Sequence, residues 1–268
     1  MLSIASLHVY PVKSCRGIAL TQAELAPRGL LHDREWMVVS PEGRFLTQRE
    51  LPRLALIAPD IAAHELRLQA PGAGSIAVTL TAGAGPSREV VVFGDTVLAH
   101  DAGDTAAQWL SDFLRRPVRL VRFDPSRRRA TDPVWSAGRP GESAFSDGYP
   151  VLVLSRASLS DLNARLPQAL PLDRFRPNLL LEGCDPYAED SLRVLQCGHA
   201  TLRLVKPCTR CIITTTDQAT AERDGEEPLR TLRSYRWNGE LRGVIFGQNA
   251  IVERTGTLRV GDAITGST

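Results

Sequence analysis

The chain has 268 residues, 43% hydrophobic and 23% charged, with a formal net charge of +2. That composition excludes disorder as the dominant state, and so weak a charge balance gives no reason to expect nucleic acid or a membrane surface as a partner. The length suits one large domain or two small, closely packed ones.

The N-terminal MLSIASLHVY has neither a basic leader nor a continuous apolar run. No stretch approaches the roughly 20 apolar residues that span a bilayer. No signal peptide or membrane segment is therefore expected. The five cysteines, Cys15, Cys184, Cys197, Cys208 and Cys211, then read as free thiols in a reducing cytoplasm.

SIASLHVYPV alternates and predicts a strand, followed by a turn at KSCRGIAL and a second alternating run, ALTQAELA. DREWMVVS and RFLTQ flank the Pro/Gly turn PEG and predict a hairpin. SIAVTLTA, EVVVFG and DTVLAHD continue the pattern at short spacing, as in a barrel or compact β-domain. DTAAQWLSDFLRR is the first clear helix, with Asp104 or Thr105 as its cap and Trp109, Leu110, Phe113 and Leu114 on one face.

VRLVRF returns to strand. Residues 124–150 then form a long loop rich in Gly, Pro, Ser and Arg, of a length usually found in lids or mobile segments. PVLVLS predicts a strand and ASLSDLNARL a short helix. RPNLLLEG, ATLRLV, CIITTTD, LRGVIFGQNAIVE and GTLRVGD all predict strands. The class is α+β, predominantly antiparallel β, with a few short helices. A domain boundary is expected between residues 116 and 125.

KPCTRC, residues 206–211, holds the one C-x-x-C pair. A closed zinc site needs four ligands, and no second pair or paired histidine spacing is present. A thioredoxin-like dithiol sits at a helix N-terminus, whereas the β-branched IITTT run disfavours helix. A plant-type iron–sulfur site needs a further cysteine downstream, and none follows Cys211. Two buried small hydrophobes remain a sufficient account of the pair. Against that, Lys206 and Arg210 make the segment electropositive and favour a thiolate, which suits a soft metal that brings its own further ligands.

KPCTRCIITTTD resembles the cysteine segment of MOSC proteins. YPVKSCRGI, DREWMVV, FRPNLLLEGCDPYAED and FGQN resemble further family segments in the family's order. The likeness covers almost the whole chain and is nearest the amidoxime-reducing branch. It implies an N-terminal MOSC β-barrel domain over residues 1–118, packed on a MOSC β-barrel domain over residues 119–268. It also implies a molybdenum–pterin cofactor whose dithiolene supplies two sulfurs to the metal, with Cys211 supplying a third and Cys208 none.

By the same resemblance Lys13, Ser14, Arg34, Arg176 and Arg210 hold the cofactor. Thr209 donates beside the metal, and Asn178 orients its loop or meets the pterin. Ser146, Asp147 and Asn249 fall near family binding positions. Asp217 is placed to relay protons, although a turn former at that position is as good a reading.

The implied reaction is two-electron reduction of an N-hydroxylated compound. No iron–sulfur cluster, G-x-G-x-x-G or haem motif is expected in the chain, so the electrons would come from a separate reductase or ferredoxin-like protein. A cysteine persulfide carrier for sulfur transfer, or a non-enzymatic carrier of the molybdenum cofactor, would use the same residues.

Overall fold

A computed structural model of the chain describes residues 1–81, 83 and 85–267. Ala82, at the end of the SIAVTLTA run, lies outside the described residues. The structure is mostly antiparallel sheet with three short helices among the described residues. Each sheet is an open path of strands, and none closes into a barrel through its own hydrogen bonds.

The largest sheet runs in space Thr265–Ser267, Val194–Cys197, Ala200–Thr209, Gly243–Arg254, Val151–Ser155, Leu179–Glu182, Ser3–Val9 and Ile18–Leu20, with Trp237–Asn238 attached to Gly243–Arg254. Its one parallel pair, Val151–Ser155 with Leu179–Glu182, is joined through the helix Arg156–Arg165, because parallel neighbours need a long crossover. A second sheet orders Trp36–Val39, Arg119–Phe123, Asp95–Asp101 and Ser87–Val92. Two three-stranded sheets complete the chain.

The two halves are interwoven. Ser3–Val9 pairs with Leu179–Glu182, and Gln22–Ala26 pairs with Gly256–Arg259. In the other direction Arg119–Phe123, just beyond residue 118, pairs with Trp36–Val39. The chain leaves the large sheet after Val9 and reaches the second sheet at the Val12–Trp36 bridge. Residues 13 and 14 turn where the two bodies meet.

Four local expectations change. The first helix spans Asp104–Leu114, but Gly103 occupies its N-cap position at φ 94°, and no side chain caps it. Asp104 instead accepts from Arg119 Nη2 at 2.8 Å. RFLTQ contributes only isolated bridges, not a hairpin strand. CIITTTD is not a strand: Ile212–Thr215 forms a 3-10 turn with Cys211 at its N-cap. The threonine hydroxyls account for this. Thr214 Oγ1 donates to Cys211 O at 2.9 Å and Thr215 Oγ1 to Ile212 O at 2.8 Å, so these β-branched residues bond the backbone locally instead of joining a ladder.

The fourth change concerns residues 124–150, which carry no helix or strand but are fastened down. The buried Arg129 donates to Ser143 Oγ, Ala144 O and Ser146 O at 3.1, 3.1 and 2.7 Å, and to Asp147 O at 3.2 Å. One guanidinium thereby shapes the segment that presents Ser146 and Asp147.

Candidate active site

One cleft lies where the two bodies meet. Lys13, Ser14, Arg34, Ser146, Asp147, Arg176, Asn178, Thr209, Arg210, Cys211 and Asn249 all line it, with Cys208 and Tyr149. These residues come from six separated segments, brought together by the sheet crossings described above. Asp217 does not line it. Its carboxylate accepts from Arg174 Nη2 at 2.9 Å and from the backbone N–H groups of Ala219 and Thr220 at 2.8 and 3.0 Å, which is the work of a turn former.

Lys13 is buried. Its Nζ donates to Phe145 O at 2.7 Å and pairs with the Asp147 carboxylate. Burial pulls the Lys13 ammonium below its usual range, and Asp147 opposes that pull. The charges of Lys13, Arg49 and Arg34 hold the largely exposed Asp147 carboxyl below its usual range, at about 2.

Arg34 and Arg176 both lie 4.3 Å from the centroid of the Tyr10 ring. Arg34 donates to Asp33 Oδ2 at 2.5 Å, Asn178 Oδ1 at 3.1 Å and Arg176 O at 3.2 Å. Asn178 is fully used: its Oδ1 also accepts from Leu152 N at 3.0 Å, and its Nδ2 donates to His8 O at 3.1 Å. Both lone pairs of its amide oxygen are thus taken by the protein, which ties the loop to the neighbouring strands. Arg176 Nη1 donates to Cys15 O at 2.7 Å. Burial, then the nearby Arg34, brings the Arg176 guanidinium down to about 10.

Three of these residues have left-handed backbones: Ser14 at φ 69°, Arg34 at 49° and Arg176 at 55°. Non-glycine residues adopt this region at a cost and cluster there at functional sites. Gly17 has a related part, since a Cβ there would lie 2.5 Å from the Tyr10 ring.

The two sulfurs face different cations. Arg210 Nη1 donates to Cys208 Sγ at 3.0 Å and its Nη2 to Phe175 O at 2.7 Å. Arg49 Nη2 donates to Cys211 Sγ at 3.4 Å. Arg49 and Arg129 escape the sequence reading. Neither belongs to a motif, and Arg49 lies 162 positions from Cys211, a contact that only the fold creates.

The donor set matches an anionic, multidentate group. Three buried polar atoms on cleft residues have no partner: Arg176 Nη2, Arg210 Nε and Ser146 Oγ. Unpaired buried donors are costly and rare, and guanidinium edges match phosphate or pterin edges in paired bonds. Among the described residues no three His, Cys, Asp or Glu side chains come together to hold a metal alone. A metal beside Cys208 or Cys211 would therefore need ligands from a cofactor.

Residues 1–117 match the family model of the MOSC N-terminal beta barrel domain, and residues 140–265 that of the MOSC domain. The mouse mitochondrial amidoxime-reducing component 1 is 40% identical over 98% of this chain and 81% of its own length. The chain belongs to the amidoxime-reducing branch of the MOSC proteins. The human component 1 is 39% identical over 98% of this chain and 82% of its own length, and the bovine component 2 is 34% identical over the same shares. This family membership extends over both sheets that build the cleft. The names of these relatives place them in mitochondria, against the cytoplasmic setting expected above. Among the described residues no helix is long and apolar enough to cross a membrane.

Proposed function

We propose that the protein is a molybdenum-dependent reductase of N-hydroxylated compounds and that its cleft holds a molybdenum–pterin cofactor. The observation that carries this reading is the set of unpartnered donors, Arg176 Nη2, Arg210 Nε and Ser146 Oγ, in the cleft that also contains Cys211. When bound, such a cofactor supplies two-electron reduction of an N–OH group to an amine or amidine, with two protons taken up and water released.

The chain's own residues do the binding and orienting. Cys211 Sγ is the protein ligand, as the family resemblance implies. Arg176, Arg210 and Arg34 meet the anionic and pterin portions with their planar edges, and Lys13 adds a point charge. Asn178 and Arg129 take no part in the reaction and hold the two loops at their working distance. Asp147 and Thr209 are exposed and stand at the mouth where a small substrate arrives. The electrons come from a separate donor protein, as expected for the branch whose relatives are named amidoxime-reducing.

Elemental analysis of purified, cofactor-loaded protein tests the assignment. About one molybdenum per chain is expected, as a single ligand sulfur requires, lost in Cys211→Ala and kept in Cys208→Ala. The reverse pattern would make Cys208 the ligand and overturn the Cys211 assignment. Loaded protein that reduces no N-hydroxylated compound with an artificial electron donor sinks the reductase reading. Cyanide-releasable sulfur without metal would identify a sulfur carrier instead.

A further inference from the structure

Arg49 lies in the N-terminal half, outside every segment that carries the family resemblance, yet its Nη2 reaches Cys211 Sγ at 3.4 Å. Its backbone is tied to the segment that follows Cys211. Arg223 Nη1 donates to Arg49 O at 3.2 Å, Arg223 Nη2 donates to Gln48 O, and Arg223 Nε donates to Thr216 Oγ1 at 2.9 Å. Gln48 and Gln218, both buried, exchange amide bonds at 2.8 and 3.0 Å, and Gln48 Nε2 also donates to Ser14 O at 2.7 Å.

These bonds make Arg49 and Cys211 parts of one rigid unit that spans both halves of the chain. The Arg49 guanidinium makes one ion pair besides, a long one of 3.9 Å to the exposed Asp147 carboxylate, and its shorter contact is to the sulfur. A surface arginine needs no such support.

We propose that Arg49 is a positioning residue for the metal's protein ligand. Its N–H fixes the orientation of Cys211 Sγ and draws charge from it, so that the bound metal is easier to reduce. Hydrogen bonds to a ligating sulfur act on a metal centre in this direction, and residues that touch a ligand without touching the metal tune it. This rests on the cofactor reading above.

The test compares cofactor-loaded wild type, Arg49→Met and Arg49→Lys, with molybdenum content by elemental analysis and a redox titration of the Mo(V) paramagnetic signal. All three should hold equal molybdenum. Arg49→Met should lower the one-electron potential by about 59 mV, a tenfold change in the equilibrium. Arg49→Lys, which keeps the charge, should shift it less. An unchanged potential in fully loaded Arg49→Met overturns the proposal. Loss of metal from either variant also overturns it, by making Arg49 part of the cofactor's grip. If wild type holds no molybdenum, or Cys211→Ala retains it, the cofactor reading falls and the Arg49 proposal with it. If those controls hold and only the potential stays put, the Arg49 role alone is wrong.

Discussion

Two arginine clusters in this chain use the same side chain in opposite ways. At the ends of the two central strands of the second sheet, Arg119 pairs through Nε and Nη2 with the buried Asp101, at 2.9 Å for the second bond, and its Nη2 also meets Asp104 at 2.8 Å. Arg88 Nε adds a contact to Asp101 at 3.2 Å, and Gly103 N donates to it at 2.9 Å. Hydrogen bonds to these carboxylates raise the Arg119 guanidinium further above its usual range. In the cleft, Arg176 and Arg210 bond backbone carbonyls and a sulfur and meet no carboxylate within hydrogen-bond distance. Burial and Arg34 depress Arg176 rather than raise it. The Arg119 fork is filled by carboxylates and serves the fold. Under the function proposed above, the forks of Arg176 and Arg210, which meet no carboxylate, are the ones free to take a ligand.

Breaking the first cluster should cost the most. Arg119→Leu leaves Asp101, which is 3% exposed, with only Arg88 and the Gly103 N–H, and the lost hydrogen bonds to a charged group cost about 2 kcal/mol. Chemical denaturation should show that loss equally in loaded and metal-free protein, with molybdenum content per folded chain unchanged. A drop in cofactor content at this distant site would erase the contrast between the clusters.

Arg176→Met should behave in the opposite sense. Removing a buried charge that lacks a counter-ion leaves metal-free protein no less stable. It should weaken the hold on the cofactor by about 2 kcal/mol, the scale of one lost hydrogen bond to a charged group. Thermal melts would read this as a smaller gap between loaded and metal-free protein. Equal destabilisation of both forms would place Arg176 with Arg119 as a structural residue.

The contrast also shows what the sequence could carry. Alternation exposed strands that bury one face, such as Gln22–Ala26 and Ser87–Val92, and DREWMVVS marked a strand that the structure buries on both faces. The periodic helix was legible, but its cap was not, because Gly103 takes the position by backbone conformation alone. The threonine run misled because β-branching argues against helix, while a hydroxyl three residues on can close a 3-10 turn by bonding the backbone. In the site, the residues implied by the family resemblance line one cleft, because the quoted segments that carry the likeness hold most of them. Arg49 and Arg129 were not legible, since their meaning lies in partners far along the chain. Asp217 looked chemical from its place beside the cysteine segment, yet its acceptors are spent on a turn and on Arg174.

Acidification offers the gentlest test of the same contrast. Burial alone would raise the Asp101 carboxyl, but hydrogen bonds from Arg119 and from Gly103 N, with the charges of Arg119 and Arg88, bring it below its usual range. A carboxyl lowered in the folded state contributes stability that is present above its unfolded value of about 3.9 and fades as the pH falls through the folded value. Asp101→Asn removes that titration. The acid limb of its stability profile should therefore be flatter than that of wild type between neutral pH and about pH 3, although its stability at pH 7 is lower. Asp147→Asn removes another depressed carboxyl, at the cleft mouth, where solvent screens the pair and the effect on stability is small. Its consequence should appear in the hold on an anionic cofactor, which the loss of a neighbouring negative charge strengthens. An Asp101→Asn profile that keeps the full wild-type slope would show that acid unfolding starts elsewhere and that the Arg119 cluster is not the fold's principal charge lock.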